Sequence, residues 1–552
     1  MSDSLRYSLL FACLGALLYV PFLGGVHLFD WDEINFAEIS REMLIKKEYL
    51  RVYVNFQPFW EKPPFFFWLQ LLAMKVFGVG EFAARLPNAL CGMLTLVLIF
   101  NIGKKLYDTR FGVTWATVYL GTVLPLLYFK SGIIDPVFNL FIFLGLYFFI
   151  LFYWKKEGFT GISLPRNHLT YLFTGGFFIG MGIMTKGQAA YLIAVLTLGV
   201  YWVYQRFRLY VSIPQFLFFT ASASIVTLAW YGLEAWENGP WFIIEFNKYQ
   251  YRLFSTPDAG HGGFPGYHFA VLLLGCFPAS VFALRAFFPL PAEARDHQQD
   301  FRRWMKFLFW TVLILFSIVR SKIVHYSSLC YFPLTFLAAA VVDKILRGEI
   351  AMATWMKVLL AVIGGIFVVA TLAFPFAGMH PEMLKPLFDD PFAQANLDAD
   401  VHWTGWEVLP GLFLLGLLIL TLWQFTRGRS GQAFRWLFGG TAVFVLLTLI
   451  FFIKRIEGYS QRAAIEFFEN KAGEDAYFTT HAYKSYAQYF YTRKQPAANE
   501  NAYRQDWLLN GPIDKDVYIV VKNHRAHELR DREDIELVGE KNGFVFLKRR
   551  HR

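Results

Sequence analysis

Apolar runs of about 17–25 residues recur from the N-terminus to about residue 453. No other feature limits the fold so strongly, because a backbone in lipid must satisfy its hydrogen bonds within its own segment or within a closed barrel. Runs of this length satisfy them as helices. The expected fold class is an α-helical polytopic membrane protein with about thirteen transmembrane helices. They begin near residues 8, 85, 113, 136, 169, 188, 212, 267, 305, 327, 355, 409 and 434. Only 17% of the 552 residues are charged, against roughly 25% in soluble domains. The first run, 8–26, lacks an Ala-x-Ala-like cleavage site and is read as a retained span.

Charge orients the spans. One set of short loops carries Lys104, Lys105, Arg110, Lys155, Lys156, Arg206, Arg208, Arg302 and Arg303; the other carries most acids, among them Asp135, Glu234, Glu237 and Asp258. The positive-inside rule then puts the N-terminus in the cytoplasm. An odd number of spans puts the C-terminus outside. The net charge of +10 follows from these loops and does not imply nucleic acid. Cys13, Cys91, Cys276 and Cys330 all lie in apolar runs, which suggests buried thiols and no Cys-based metal site. Beyond 454, alternating polar and apolar stretches replace the runs. Strands are predicted near 475–480, 516–521, 535–538 and 544–548, with helices near 461–470 and 485–492. The expected domains are therefore 1–453, transmembrane with outer-face interfacial helices in 29–80, and 454–552, a small soluble α/β domain with no catalytic pattern.

The long outer loops are 28–84, 234–266 and 377–408, and machinery is expected on the side that carries long loops. The first holds Asp30, Asp32 and Glu33, three acids in four residues. One acid caps a helix, whereas three at a membrane boundary repel one another. A carboxylate here suits a general base on an acceptor, or a metal ligand. Asp30-x-x-Glu33 has the form of a capping box for a helix over 33–46. That helix sets Phe36, Ile39, Met43 and Leu44 opposite Asn35, Glu38, Arg41 and Glu42, and should lie flat at the interface. Glu61-Lys62-Pro63-Pro64 opens a second helix running to Lys75. Lys62 and Glu61 suit either a salt pair or a phosphate cation beside a metal ligand.

Further outer turns carry Asp135-Pro136 and Thr185-Lys186-Gly187. The glycines before Lys186 do not form a P-loop and are read as helix-packing residues. Loop 245–268 holds Arg252, Asp258, His261 and His268; a single loop histidine is usually just solvated, but one paired with Glu61 would complete an oxygen/nitrogen metal site. Residues 320–326 supply Lys322, His325 and Tyr326, for a phosphate headgroup or for interfacial anchoring. Mixed acids and cations on one membrane face suit a reaction on a lipid phosphate. The outer placement argues against a nucleotide cofactor.

The order of these motifs resembles the bacterial branch of the GT-C glycosyltransferases related to protein O-mannosyltransferases, and within it the lipid A aminoarabinose transferase (ArnT-like) group. The signature is the Asp32-Glu33 pair, the 36–43 helix, Glu61-Lys62-Pro63-Pro64, Asp135-Pro136, Lys186-Gly187, a His-bearing loop and Lys322…Tyr326. It covers 8–345 by motif and the rest by layout. The chain departs from the family pattern at Asn35-Phe36, where Arg-Tyr is usual, and in having no proline within 322–326. The resemblance implies an enzyme in the bacterial inner membrane, its C-terminal domain periplasmic. It would move a sugar from a polyprenyl (undecaprenyl) phosphate donor, with inversion, to a lipid A-type glycolipid or another glycan. The catalytic set would be Asp32, Glu33 and Asp135. Glu61 and His261 would hold a divalent metal (Zn, Mg or Mn), and Lys62, Lys186, Arg252, Lys322 and Tyr326 would meet the donor phosphate. Membrane lipids are the other expected partners, and a monomer is expected. Transfer to a protein hydroxyl is one alternative. A lipid-linked sugar flippase is another, predicting mid-membrane charges and inverted repeats, neither of which is read here.

Overall fold

The computed structural model describes residues 3–256 and 262–551. Helix α1 (Asp3–Tyr19) leads into the first outer loop, which holds α2 (Asp32–Lys46), the hairpin β1 (Tyr53–Val54) and β2 (Gln57–Pro58), and α3 (Phe65–Phe77). The bundle continues through α4 (Glu81–Leu106), α5 (Thr109–Leu120), α6 (Val123–Tyr128), α7 (Asp135–Glu157), α8 (His168–Lys186), α9 (Ala189–Tyr204) and α10 (Ile213–Asn238). Then come α11 (Trp241–Ser255), α12 (Tyr267–Gly275), α13 (Ala279–Ala286), α14 (Asp296–Ile318), α15 (Tyr331–Leu346), α16 (Thr354–Met379), α17 (Pro391–Asn396), α18 (Leu409–Thr426) and α19 (Ser430–Gly458).

Among the described residues seven helices are long and apolar enough to cross a membrane, or eight if the bent pair α12–α13 is one span. Other predicted spans are shorter, more charged or less apolar helices. Helix α5 has 12 residues and α9 has 16, while the first turns of α14 carry Asp296, Asp300, Arg302 and Arg303. Glycines do allow close packing. A Cβ on Gly175 of α8 would lie 3.0 Å from the Gly145 carbonyl of α7, and one on Gly180 would lie 2.5 Å from the Ala223 carbonyl of α10. Small residues let backbones approach in this way, and the packing holds the end of α8, with Lys186, against the start of α7, with Asp135.

After α20 (Arg462–Asn470) come β3 (Tyr477–His481), α21 (Ala487–Phe490), β4 (Val517–Lys522), β5 (Ile535–Lys541) and β6 (Phe544–Arg549). The sheet order is β3-β4-β6-β5, with β3–β4 parallel and the other pairs antiparallel. The apolar face of α20 packs on it, with Phe467 stacked on Phe546 at 4.2 Å.

Two expectations for the first loop are corrected. Helix α2 does not lie flat with a wet polar face, because every residue from Glu33 to Met43 is buried. Arg41 forks onto Glu38 at 2.7 and 2.6 Å, Glu42 accepts from the Phe56 N–H at 2.7 Å, and α21 packs over the helix. The helix meets its buried charges with partners on itself, on the β1–β2 loop and on α4, and α21 of the C-terminal region covers it. Nor does a capping box form: the residue before α2 is Trp31, with no side-chain cap. Asp30 is used elsewhere.

Candidate active site

The three acids of the first loop avoid mutual repulsion by pointing three ways. Asp30 faces the C-terminal domain, accepting from the Ser485 hydroxyl and from the Tyr486 N–H at 3.3 Å. Burial pushes its carboxyl up to about 7, against the hydrogen bonds and Lys484. Glu33 turns into the bundle, where Arg85 donates to it at 3.1 and 2.7 Å. The N–H groups of Phe29 and Gly132 donate at 3.0 and 2.5 Å. Burial acts to raise the Glu33 carboxyl, but Arg85 and these N–H groups outweigh it and hold it below the usual range. Arg85 also donates to the carbonyls of Leu23, Val26 and His27, so the pair ties the end of the first helical segment to α4. Asp32 points into open space, its side chain 41% exposed.

That space is a cavity of about 800 Å³. Asp32, Lys62, Asp135, Lys186, His325 and Tyr326 line its polar part, and Leu192, Ile193, Leu315, Phe316 and Leu329 line its apolar part. Asp135, at the first position of α7, is ion-paired with Lys186 at the end of α8. Lys186 Nζ also lies 5.1 Å from the Tyr326 ring centroid. Lys62 is buried, and its Nζ donates to the Tyr249 hydroxyl at 3.2 Å.

His325 sits between the acids, its Nε2 3.7 Å from Asp32 Oδ2 and 3.8 Å from Asp135 Oδ2. It lies on the 3-10 turn Val324–Cys330. Ser328 pins this turn: its hydroxyl meets Tyr128 and Asn139 at 2.7 Å each and donates to the His325 carbonyl. The sequence placed His325 in a turn of basic residues but did not single it out. Its distance from Asp32 along the chain hid the relationship.

The other sequence-derived site residues fall elsewhere. Lys322 donates to three carbonyls at the end of α14, those of Phe316, Ser317 and Val319, at 3.0, 2.7 and 2.5 Å. All three of its donors are used, and it is absent from the cavity lining. Arg252 packs over the Tyr249 ring at 5.2 Å, beside the cavity but not in its lining. Glu61 is likewise outside the lining. His261 lies outside the described residues. Among the described residues no three His, Cys, Asp or Glu side chains converge as a metal site.

Comparison with known proteins fits this geometry. Residues 61–231 match the dolichyl-phosphate-mannose-protein mannosyltransferase family. An undecaprenyl phosphate-alpha-4-amino-4-deoxy-L-arabinose arabinosyl transferase of Pectobacterium carotovorum is 27% identical over 387 residues, 67% of this chain and 65% of that protein. A second, of Pseudomonas fluorescens, is 27% identical over 415 residues, 74% of this chain and 71% of its own length. The first of these matches, and that of Photorhabdus laumondii at 60%, spans less than two thirds of the relative's own length. The crystal structure of ArnT from Cupriavidus metallidurans bound to undecaprenyl phosphate superposes with a TM-score of 0.73 at 16% identity, over 99% of this chain and 98% of that one. The apo form gives 0.74. In sequence and in fold, the chain is similar to the GT-C glycosyltransferases of the ArnT-like, protein mannosyltransferase-related group.

Proposed function

We propose that this protein is a membrane glycosyltransferase that moves a sugar from a polyprenyl phosphate, by its relatives undecaprenyl phosphate-aminoarabinose, to a lipid A-type glycolipid. The observation that carries the reading is the two-part cavity. A prenyl phosphate needs cations for its head and an apolar wall for its first isoprenes, and Lys62 and Lys186 stand beside Leu192, Ile193, Leu315 and Phe316. In this reading about thirteen segments cross the bacterial inner membrane, the N-terminus is cytoplasmic and the C-terminal domain periplasmic.

An acceptor oxygen attacks the anomeric carbon from the face opposite the phosphate. The bond from that carbon to the phosphate oxygen breaks, its electron pair leaves with the prenyl phosphate, and configuration inverts. Lys62 and Lys186 neutralise charge as it grows on the leaving group. An acceptor hydroxyl gives its proton to Asp32. An acceptor phosphate, with a second pKa of about 6, is already anionic, and Asp32 then orients the sugar. Asp135 holds Lys186 in place, and Glu33 anchors the loop through Arg85.

Full-length protein in liposomes, given the undecaprenyl-linked aminoarabinose donor and lipid A, is expected to release undecaprenyl phosphate, and Asp32→Asn to abolish release while remaining folded. Donor translocation without turnover would overturn the reading. The match to protein mannosyltransferases favours one second reading, a protein hydroxyl as acceptor. Mass spectrometry of envelope lipids and proteins with and without the chain separates the two. A divalent metal on Glu61 and His261 is a further proposal, resting on the family resemblance. It expects activity lost to a chelator and restored by Zn, Mg or Mn.

A further inference from the structure

Residues 27–31 lead directly into α2 and belong to no helix or strand. Such a segment must find partners for its backbone N–H and C=O groups elsewhere. The bundle side supplies some: Arg85 donates to the His27 carbonyl, and Glu33 accepts from the Phe29 N–H. Others come from the far end of the chain. The Leu28 N–H donates to the Tyr491 hydroxyl at 2.7 Å. Gln461 holds two residues with one side chain: its NH₂ group donates to the Leu28 carbonyl at 2.5 Å, and its amide oxygen accepts from the Asp30 N–H at 3.3 Å. The Asp30 carboxyl accepts from the Ser485 hydroxyl and the Tyr486 N–H. The Trp31 indole N–H donates to the Lys484 carbonyl at 2.7 Å. At the start of the segment His27 Nδ1 stands 2.7 Å from Glu457 Oε1, and its ring meets that of Tyr491 edge to face at 5.5 Å.

Asp32 is the next residue. Its carboxylate is 3.7 Å from His325 Nε2, beyond hydrogen-bond distance, so the backbone that carries it sets its place. Leu28, Tyr491 and Ser485 are buried, so water does not replace a partner lost there. The partners from 457–491 are all absent from the lining of the cavity that Asp32 faces, and they reach it only through residues 27–31. A shift of about 1 Å at a reacting group costs roughly 10²-fold in rate, so what holds this backbone bears on the chemistry.

We propose that the C-terminal domain is a positioning element of the transferase: through Tyr491, Gln461 and Ser485 it fixes residues 28–31 and so sets where Asp32 stands against the substrate. These three are positioning residues, acting through the backbone before Asp32. The proposal rests on the transferase reading for the part Asp32 plays, while the hold on 28–31 rests on the hydrogen bonds themselves.

The test uses full-length Tyr491→Phe, Gln461→Ala and Ser485→Ala with two readouts. One is turnover of undecaprenyl-linked aminoarabinose with lipid A in liposomes; the other is hydrogen–deuterium exchange of the 27–32 peptide in detergent. Tyr491→Phe removes one hydroxyl and keeps the ring. In Tyr491→Phe and in Gln461→Ala, exchange at 27–32 should quicken about tenfold as the segment opens locally. Their kcat should fall about tenfold, with KM for donor and acceptor within about threefold, because misplacement costs rate and not binding. Exchange in β4, a central strand of the C-terminal sheet, should stay as in wild type, which separates local release from unfolding of the domain. Ser485→Ala should share the fall in kcat, and Ser485→Thr, which keeps a hydroxyl for Asp30, should recover most of it. Unchanged exchange at 27–32, quickened exchange with wild-type kcat, or a raised acceptor KM at unchanged kcat overturns the proposal. If exchange quickens as expected but the wild-type protein turns over no donor, the hold on 28–31 stands and the transferase reading falls.

Discussion

His325 Nε2 stands 3.7 Å from Oδ2 of Asp32, across a cavity whose two walls come from the first loop and from a turn nearly three hundred residues later. The same nitrogen lies 3.8 Å from Asp135. One imidazole therefore faces the acid proposed to meet the acceptor and the acid that holds Lys186. His325→Gln is expected to lower kcat about a hundredfold, at the low end of what a positioned acid–base group contributes, roughly 10²–10⁴. Donor binding should change less than threefold. A wild-type kcat would remove His325 from the site.

Lys62 and Lys322 both looked like phosphate cations in the sequence, and their surroundings separate them. Lys62 faces the cavity and has the Tyr249 hydroxyl as its hydrogen-bond acceptor. Lys322 spends its ammonium on the end of α14. Lys62→Ala is expected to raise the Kd for undecaprenyl phosphate about tenfold, roughly one charge-assisted contact. Lys322→Ala should leave that Kd within threefold and lower stability by about 1–2 kcal/mol, the worth of a partly buried cation at a helix C-terminus. Equal losses of donor affinity in the two variants would sink this division.

Glu33 and Arg85 form a buried pair whose remaining donors and acceptors are backbone groups. Glu33→Ala leaves a buried guanidinium without its partner, a change that costs about 3–5 kcal/mol. Thermal unfolding in detergent reads this directly. The Glu33 carboxyl is held below its ordinary range, so its contribution to stability is present above the ordinary glutamate pKa of 4.5 and is lost as pH falls through the lowered one. A Glu33→Ala variant as stable as wild type would contradict the assignment.

Asp30 carries the opposite sign. Burial raises its carboxyl to about 7, so the docked state favours the neutral acid. Its contribution is full below its ordinary value of 3.8 and is lost as pH rises through about 7. Asp30→Asn keeps an acceptor for Ser485 and removes the titration. The melting temperature of wild type should fall more steeply than that of Asp30→Asn across this window. Parallel profiles would show that Asp30 does not titrate at the domain junction.

Much of the architecture was legible from local pattern. Apolar runs marked the helices of the bundle, and Pro63-Pro64 marked the start of α3, observed at Phe65. Short apolar alternation marked all four strands of the C-terminal sheet within a few residues. The glycines of α8 read as packing residues because a P-loop pattern was absent, and they contact α7 and α10. Helix α2 misled the reading. Its charged face looked wet because amphipathic spacing does not say what covers a polar face, and here the cover is α21, more than four hundred residues away.

The amino-acid sequence by itself determined the class of protein, the side on which its charged turns gather and the residue types available to a lipid-phosphate site, because hydropathy and turn chemistry act between neighbours along the chain. Only the tertiary structure decided where each of the three clustered acids points. It sent Asp30 to Ser485, Glu33 to Arg85 and left Asp32 open. It also gave Lys322 to a helix end and brought His325 to Asp32. These choices follow from which buried partner satisfies each charge, and those partners are set by helix packing across hundreds of residues rather than by spacing within a motif.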